Sequence, residues 1–166
     1  MKGVLIVLGV VASAALSLAG CSGAPAAAAV DGAFATRVLA VCTTVMEAKK
    51  AQAPFPAGSF NPTKPDPAKL AEVGAWLDSA VAPTFTTWRD KAVALGQPAS
   101  GQEGWKAVVT GLESNVTLVD KQIAAAQAGD AGAFASATRD LQANHGAFIT
   151  AATAAGVAAC GDIVRS

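Results

Sequence analysis

The chain has 166 residues, 12 basic and 12 acidic side chains, one histidine and three cysteines, and 52% of it is hydrophobic. That length fits one domain. The balanced charge argues against nucleic acid or an anionic lipid surface as a partner.

Met1 and Lys2 form a minimal positive start. Residues 3–19 carry no charge and are dominated by Val, Leu, Ile and Ala. A charge followed by an apolar run is the order of a secretory signal, and it explains the segment better than a permanent membrane helix does. The run ends in Leu18-Ala19-Gly20-Cys21. This resembles the bacterial lipobox, the Leu-small-small-Cys pattern of lipoprotein signal peptides. The resemblance implies a diacylglyceryl group on the Cys21 sulfur and cleavage between Gly20 and Cys21, with fatty acyl chains such as palmitate holding the mature protein. Each buried methylene contributes about 0.8 kcal/mol, so two or three chains anchor stably where one does not. Residues 1–20 are then a cleaved signal, residues 21–30 a small-residue flexible tether, and residues 31–166 the folded domain. Loss of Lys2 leaves the mature chain with a net charge of about −1.

The first helical segment spans about residues 31–52. Asp31 is placed to cap it. Phe34, Val38, Val41, Val45 and Ala48 recur at four-three spacing, and Cys42 lies on or beside that stripe. Residues 54–67, PFPAGSFNPTKPDP, hold five of the chain's eight prolines and break the helix. This stretch reads as a strap that tucks Phe55 and Phe60 into the core, or as a binding loop that presents them.

The second helix starts with Asp66 as cap and Pro67 at its first position. Leu70, Val73, Leu77 and Ala80 form one stripe; Val81, Phe85, Trp88, Ala92 and Leu95 form a second, slightly rotated one. The phase changes at Pro83, which should kink the helix and leave the Ser79 carbonyl without its donor. The third helix opens on Ser100-Gly101-Gln102-Glu103, a capping-box pattern. Its seam is Trp105, Val109, Leu112, Val116, Val119, Ile123 and Ala126. The fourth helix has Asp130 as cap, with Phe134, Leu141, Phe148 and Ala155 every seven residues. The expected fold is all-α, an up-down-up-down four-helix bundle with its second helix kinked at Pro83.

With Cys21 assigned to lipid and the domain outside the cytoplasm, Cys42 and Cys160 can form one disulfide. It would close a loop of about 120 residues, worth about 4–5 kcal/mol in the chain-entropy model. Two free buried thiols, or a redox pair, are the alternatives. The two can meet if the first turns of the first helix overhang, or if the tail folds back along them so that Ile163 and Val164 cover Phe34, Val38 or Leu39.

No catalytic constellation emerges. His145 lacks the partners that a ligand or catalytic role needs, and no Cys-x-x-Cys, His-x-x-x-His or phosphate-binding glycine loop occurs. The expectation is therefore no metal, no cofactor and no enzymatic activity. Glu113-Ser114-Asn115-Val116-Thr117 resembles an extended bacterial glycosylation sequon, placed by chance in mid-helix. Trp76 falls one residue off its stripe, so Trp76, Phe55 and Phe60 are the candidate contact surface. The layout of lipobox, tether and helical domain with a cysteine near each end resembles small Ala-rich lipoproteins of actinobacteria. That resemblance implies the outer face of the cell membrane and no activity. Two functions remain open: a non-enzymatic scaffold that binds an envelope protein or cell-wall component, and a carrier or sensor of a small apolar ligand held between the helices.

Overall fold

The computed structural model describes residues 28–56 and 58–165. The signal segment, Cys21 and most of the tether lie outside the described residues. Those described are helical, with no strand among them, and no helix among them is long and apolar enough to cross a membrane.

Helix α1 spans Gly32–Lys50. Asp31 caps it as expected: one carboxylate oxygen accepts from the Phe34 backbone N–H at 2.9 Å. The other accepts from the Ala99 N–H at 3.0 Å, so one side chain fixes both the start of α1 and a distant turn. These backbone donors hold the Asp31 carboxyl below its ordinary pKa. Phe34, Val38, Cys42 and Val45 are buried.

A 3₁₀ turn, Pro67–Lys69, capped by Asp66, leads into α2, Leu70–Trp76. The chain then widens into a π-helical turn, Leu77–Val81, and resumes as α3, Ala82–Ala94. Pro83 explains the widening. It has no N–H to give, and the π turn absorbs the break: the Ala82 N–H bonds the Leu77 carbonyl five residues back. The neighbouring Ala80 carbonyl accepts from two side chains, Gln52 Nε2 at 2.8 Å and Thr84 Oγ1 at 3.2 Å. Gln52 thus ties the end of α1 to the π turn.

Helix α4 spans Gln102–Gln127. The expected Ser100–Glu103 capping box does not form. Gly101 is the N-cap, with a left-handed φ of 73° and no side-chain cap. The cause is a close approach: a Cβ on Gly101 would lie 2.5 Å from the Ala29 backbone. The α4 seam is also broader than its apolar pattern. Trp105, Leu112, Val119, Ile123 and Ala126 are buried, and so are Gly111, Asn115 and Gln122. Helix α5, Ala131–Ala154, is capped by Asp130 through the Ala133 N–H. It meets α4 through Gly111 against Phe148, Asn144 to Asn115 at 2.8 Å, and Gln122 to Thr138 at 2.9 Å. Full burial of Asn115, with its Oδ1 bonded to Asn144, removes it as a glycan acceptor in the folded protein.

A 3₁₀ turn, Ala158–Gly161, and a short helix α6, Asp162–Arg165, end the described chain. Cys160 is bonded to Cys42, with Cα atoms 5.3 Å apart across a sequence separation of 118. The tail does lie along α1, but it runs from Cys42 toward the C-terminal end of that helix and not toward Phe34: Lys49 Nζ donates to the Ile163 carbonyl. The core forms two clusters, one around Phe34, Trp88, Trp105 and Phe148, the other around Leu70, Val73, Val119 and Phe134. Phe85 packs against both.

Candidate functional site

A partly enclosed cleft of about 250 Å³ lies beside the π turn. Its wall is mostly apolar, with Trp76, Leu77, Phe85, Trp88, Val119 and Leu141, and the folded-back tail adds Ile163 and Val164. Leu77 and Val81 of the π turn thus form part of a cleft that combines aromatic walls with a half-buried imidazole. A depression of about 410 Å³ between α4 and α5, lined by residues such as Glu103, Lys106 and Ser114, is larger but more open and has no such polar centre.

Five polar side chains enter the cleft wall: Lys49 and Gln52 from the end of α1 and the turn after it, Thr84 from α3, Gln122 from α4 and His145 from α5. Contacts between separate elements place them. Gln52 is held by the Ala80 carbonyl and Thr84 Oγ1, at 2.8 and 2.7 Å. Lys49 is drawn to the Ile163 carbonyl, and burial lowers its pKa. His145 stacks on Phe85 with ring centres 6.4 Å apart. Its Nε2 is buried without a hydrogen-bond partner, as is Oε1 of Gln122. Burial first, and the Lys49 charge second, lower the pKa of His145, so the ring is neutral at pH 7.

The sign of the resulting pH dependence follows. The folded pKa of His145 lies below the ordinary value of 6.5. Between the two values the unfolded chain binds more protons, so stability is full above pH 6.5 and declines as pH falls toward the folded value. Melting curves from pH 7.5 to 5 should show this decline, and His145→Gln should flatten it. An equal slope in the variant would assign the decline to other groups.

The candidate contact residues do come together. Trp76 is half-buried, donates Nε1–H to the Ala53 carbonyl at 3.0 Å and meets the Phe55 ring edge-on at 5.1 Å. Phe60 joins Phe55 at 5.8 Å and packs on Phe134 at 5.8 Å. Phe60 is thus tucked in, as a strap requires, whereas Phe55 remains 37% exposed and covers Trp76 from outside. Trp76 serves both features, since its side chain also lines the cleft.

Sequence reasoning missed Gln122, Lys49 and Gln52 and set His145 aside. One signal existed: Gln122 stands three residues after Val119 and four before Ala126, a polar side chain in step with an apolar seam. Among the described residues no group of His, Cys, Asp and Glu could hold a metal ion. No family model matches the chain, nor does any curated protein or solved structure.

Proposed function

We propose that this chain is a lipid-anchored lipoprotein on the outer face of the cell membrane that binds a small, mainly apolar ligand between its helices without chemical turnover. The observation that carries the reading is the cleft of about 250 Å³ at the π turn, walled by Trp76, Leu77, Phe85 and Trp88. Ligand sites are concave, largely apolar and provided with a few placed polar groups, and π turns recur at functional sites. An engineered cavity of about 150 Å³ takes benzene, so this one fits a molecule of roughly ten non-hydrogen atoms. The lipobox at Leu18-Ala19-Gly20-Cys21 supports the address. We read the helices as an up-down-up-down bundle whose second member is α2, the π turn and α3 taken together and kinked ahead of Pro83.

Native mass spectrometry of the full protein, released from its host's membranes, tests the ligand. A co-purifying small molecule that Trp88→Ala removes is the expected result; a bare protein under gentle release would count against the reading. In the same host, Cys21→Ser should move the protein out of the membrane fraction, and unchanged retention would refute lipidation at that sulfur.

The scaffold reading keeps one observation of its own. Phe55, Phe60 and Trp76 form a continuous aromatic group with Phe55 exposed, a surface that an envelope protein or cell-wall component could contact. The cleft favours the ligand reading because it adds aimed polar chemistry to apolar area.

A further inference from the structure

We propose that the cleft selects an uncharged amphiphile whose polar end carries a hydroxyl or N–H donor, received by Oε1 of Gln122. This rests on the ligand reading above and names the class of ligand.

The orientation of the Gln122 amide is fixed by its neighbour. Thr138 Oγ1 donates its hydrogen to the Phe134 carbonyl at 3.0 Å, within its own helix. That hydroxyl can then only accept from Gln122, so the amide nitrogen faces Thr138, at 2.9 Å, and Oε1 faces away from it. Gln122 is 5% exposed and lines the cleft; its Oε1 has no partner and under 1 Å² of open surface, so a ligand donor reaches it with a small outward shift of the amide. A buried acceptor left without a donor is costly, about 1–3 kcal/mol. A ligand group that supplies the donor recovers that cost, whereas an apolar isostere does not.

The charge of the ligand follows from the same wall. A carboxylate would set its lone pairs against Oε1 of Gln122; Lys49 in the same wall would draw it, but that ammonium already donates to the Ile163 carbonyl. An ammonium group would bring a second positive charge into a cleft that already holds Lys49. Aromatic walls and a volume of about 250 Å³ leave room for one or two rings attached to that donor. His145 gives a second polar point two helical turns along α5 from Thr138, and as the chain's one histidine it reports on occupancy without ambiguity.

The test uses the full chain in phospholipid nanodiscs, with three probes of matched shape: 2-naphthol, 2-methylnaphthalene and 2-naphthoate. Binding is measured against free aqueous probe, with empty nanodiscs subtracted, and His145 ring ¹⁵N shifts are followed in the same titrations. We expect 2-naphthol to bind more tightly than either analogue and to shift the His145 signals. Its advantage over 2-methylnaphthalene should fall at least tenfold in Gln122→Leu. If that variant melts too low to use, Thr138→Val is the second probe, since it frees the amide to turn and should also erode the preference. Equal binding of 2-naphthol and 2-methylnaphthalene, or a preference unchanged in both variants, overturns the donor recognition and leaves the ligand reading standing. Tighter binding of 2-naphthoate overturns the uncharged class. No binding and no His145 shift with any probe overturns both the recognition and the ligand reading.

Discussion

Breaking the Cys42–Cys160 bridge, by Cys42→Ser or by a reductant, is expected to destabilise the domain by about 2–5 kcal/mol and to lower its melting temperature by roughly 10 °C. The size follows from the loop. The two cysteines are 118 residues apart, so the bridge removes many open conformations from the unfolded chain. Both are buried, Cys42 at 5% and Cys160 at 1% exposure, so a serine also leaves a hydroxyl in apolar surroundings. Reductant on the wild type and the Cys42→Ser variant separate these effects: the difference between them measures the buried hydroxyl. Equal melting of the wild type with and without reductant would show that the bridge contributes nothing. The consequence reaches the cleft, because Cys160 anchors the tail whose Ile163 and Val164 form part of its wall. A reduced protein should therefore lose ligand affinity at temperatures where it is still folded.

The parts of this fold that were legible in the chain are those with local causes. Asp31, Asp66 and Asp130 cap helices because each carries a short acceptor just ahead of an apolar-periodic run, and all three accept from backbone N–H groups in the structure. Cys42 and Cys160 were one possible pair among three cysteines, with free thiols as an alternative, and the bond is present. The Ser100–Glu103 box failed because Gly101 must let the Ala29 backbone pass, a contact between segments some seventy residues apart. Pro83 announced a break, yet its form was decided at long range: the Ala80 carbonyl finds Gln52 across the domain, and the wide turn is tolerated. The cleft was hidden for the same reason. Its polar members, Lys49, Gln52, Thr84, Gln122 and His145, come from separate segments of the chain that only the tertiary fold brings together. Asn115 and Gln122 lie beside the α4 seam, outside its apolar pattern; Asn144 and Thr138 on α5 pair one polar atom of each and leave Nδ2 of Asn115 and Oε1 of Gln122 buried without a partner.

The contact between α4 and α5 yields a prediction with a change of sign. Phe148 is 1% exposed, meets Trp88 edge-on at 5.2 Å and lies directly on Gly111. Phe148→Ala should cost about 3–5 kcal/mol, the lost transfer of the ring plus the void it leaves. Gly111→Ala alone has two opposed effects. Alanine is the better helix former by about 1 kcal/mol. Its methyl, however, would sit 3.0 Å from Cδ2 of Phe148, a fully buried ring already in edge-on contact with Trp88 and with little room to yield. Overpacking of this kind costs about 1–3 kcal/mol, so the single variant should be less stable than the wild type. In the Phe148→Ala background the clash is gone. The remaining neighbours, the Cβ and Cα of residue 148, lie at 3.5 and 3.7 Å, which is ordinary contact. There the same methyl fills part of the void and keeps its helical advantage, so Gly111→Ala should stabilise. Denaturant unfolding of the four proteins gives the coupling energy directly, provided the m-values agree. A destabilising effect in both backgrounds would mean that Gly111 is required by the α4 backbone and not by the ring that covers it.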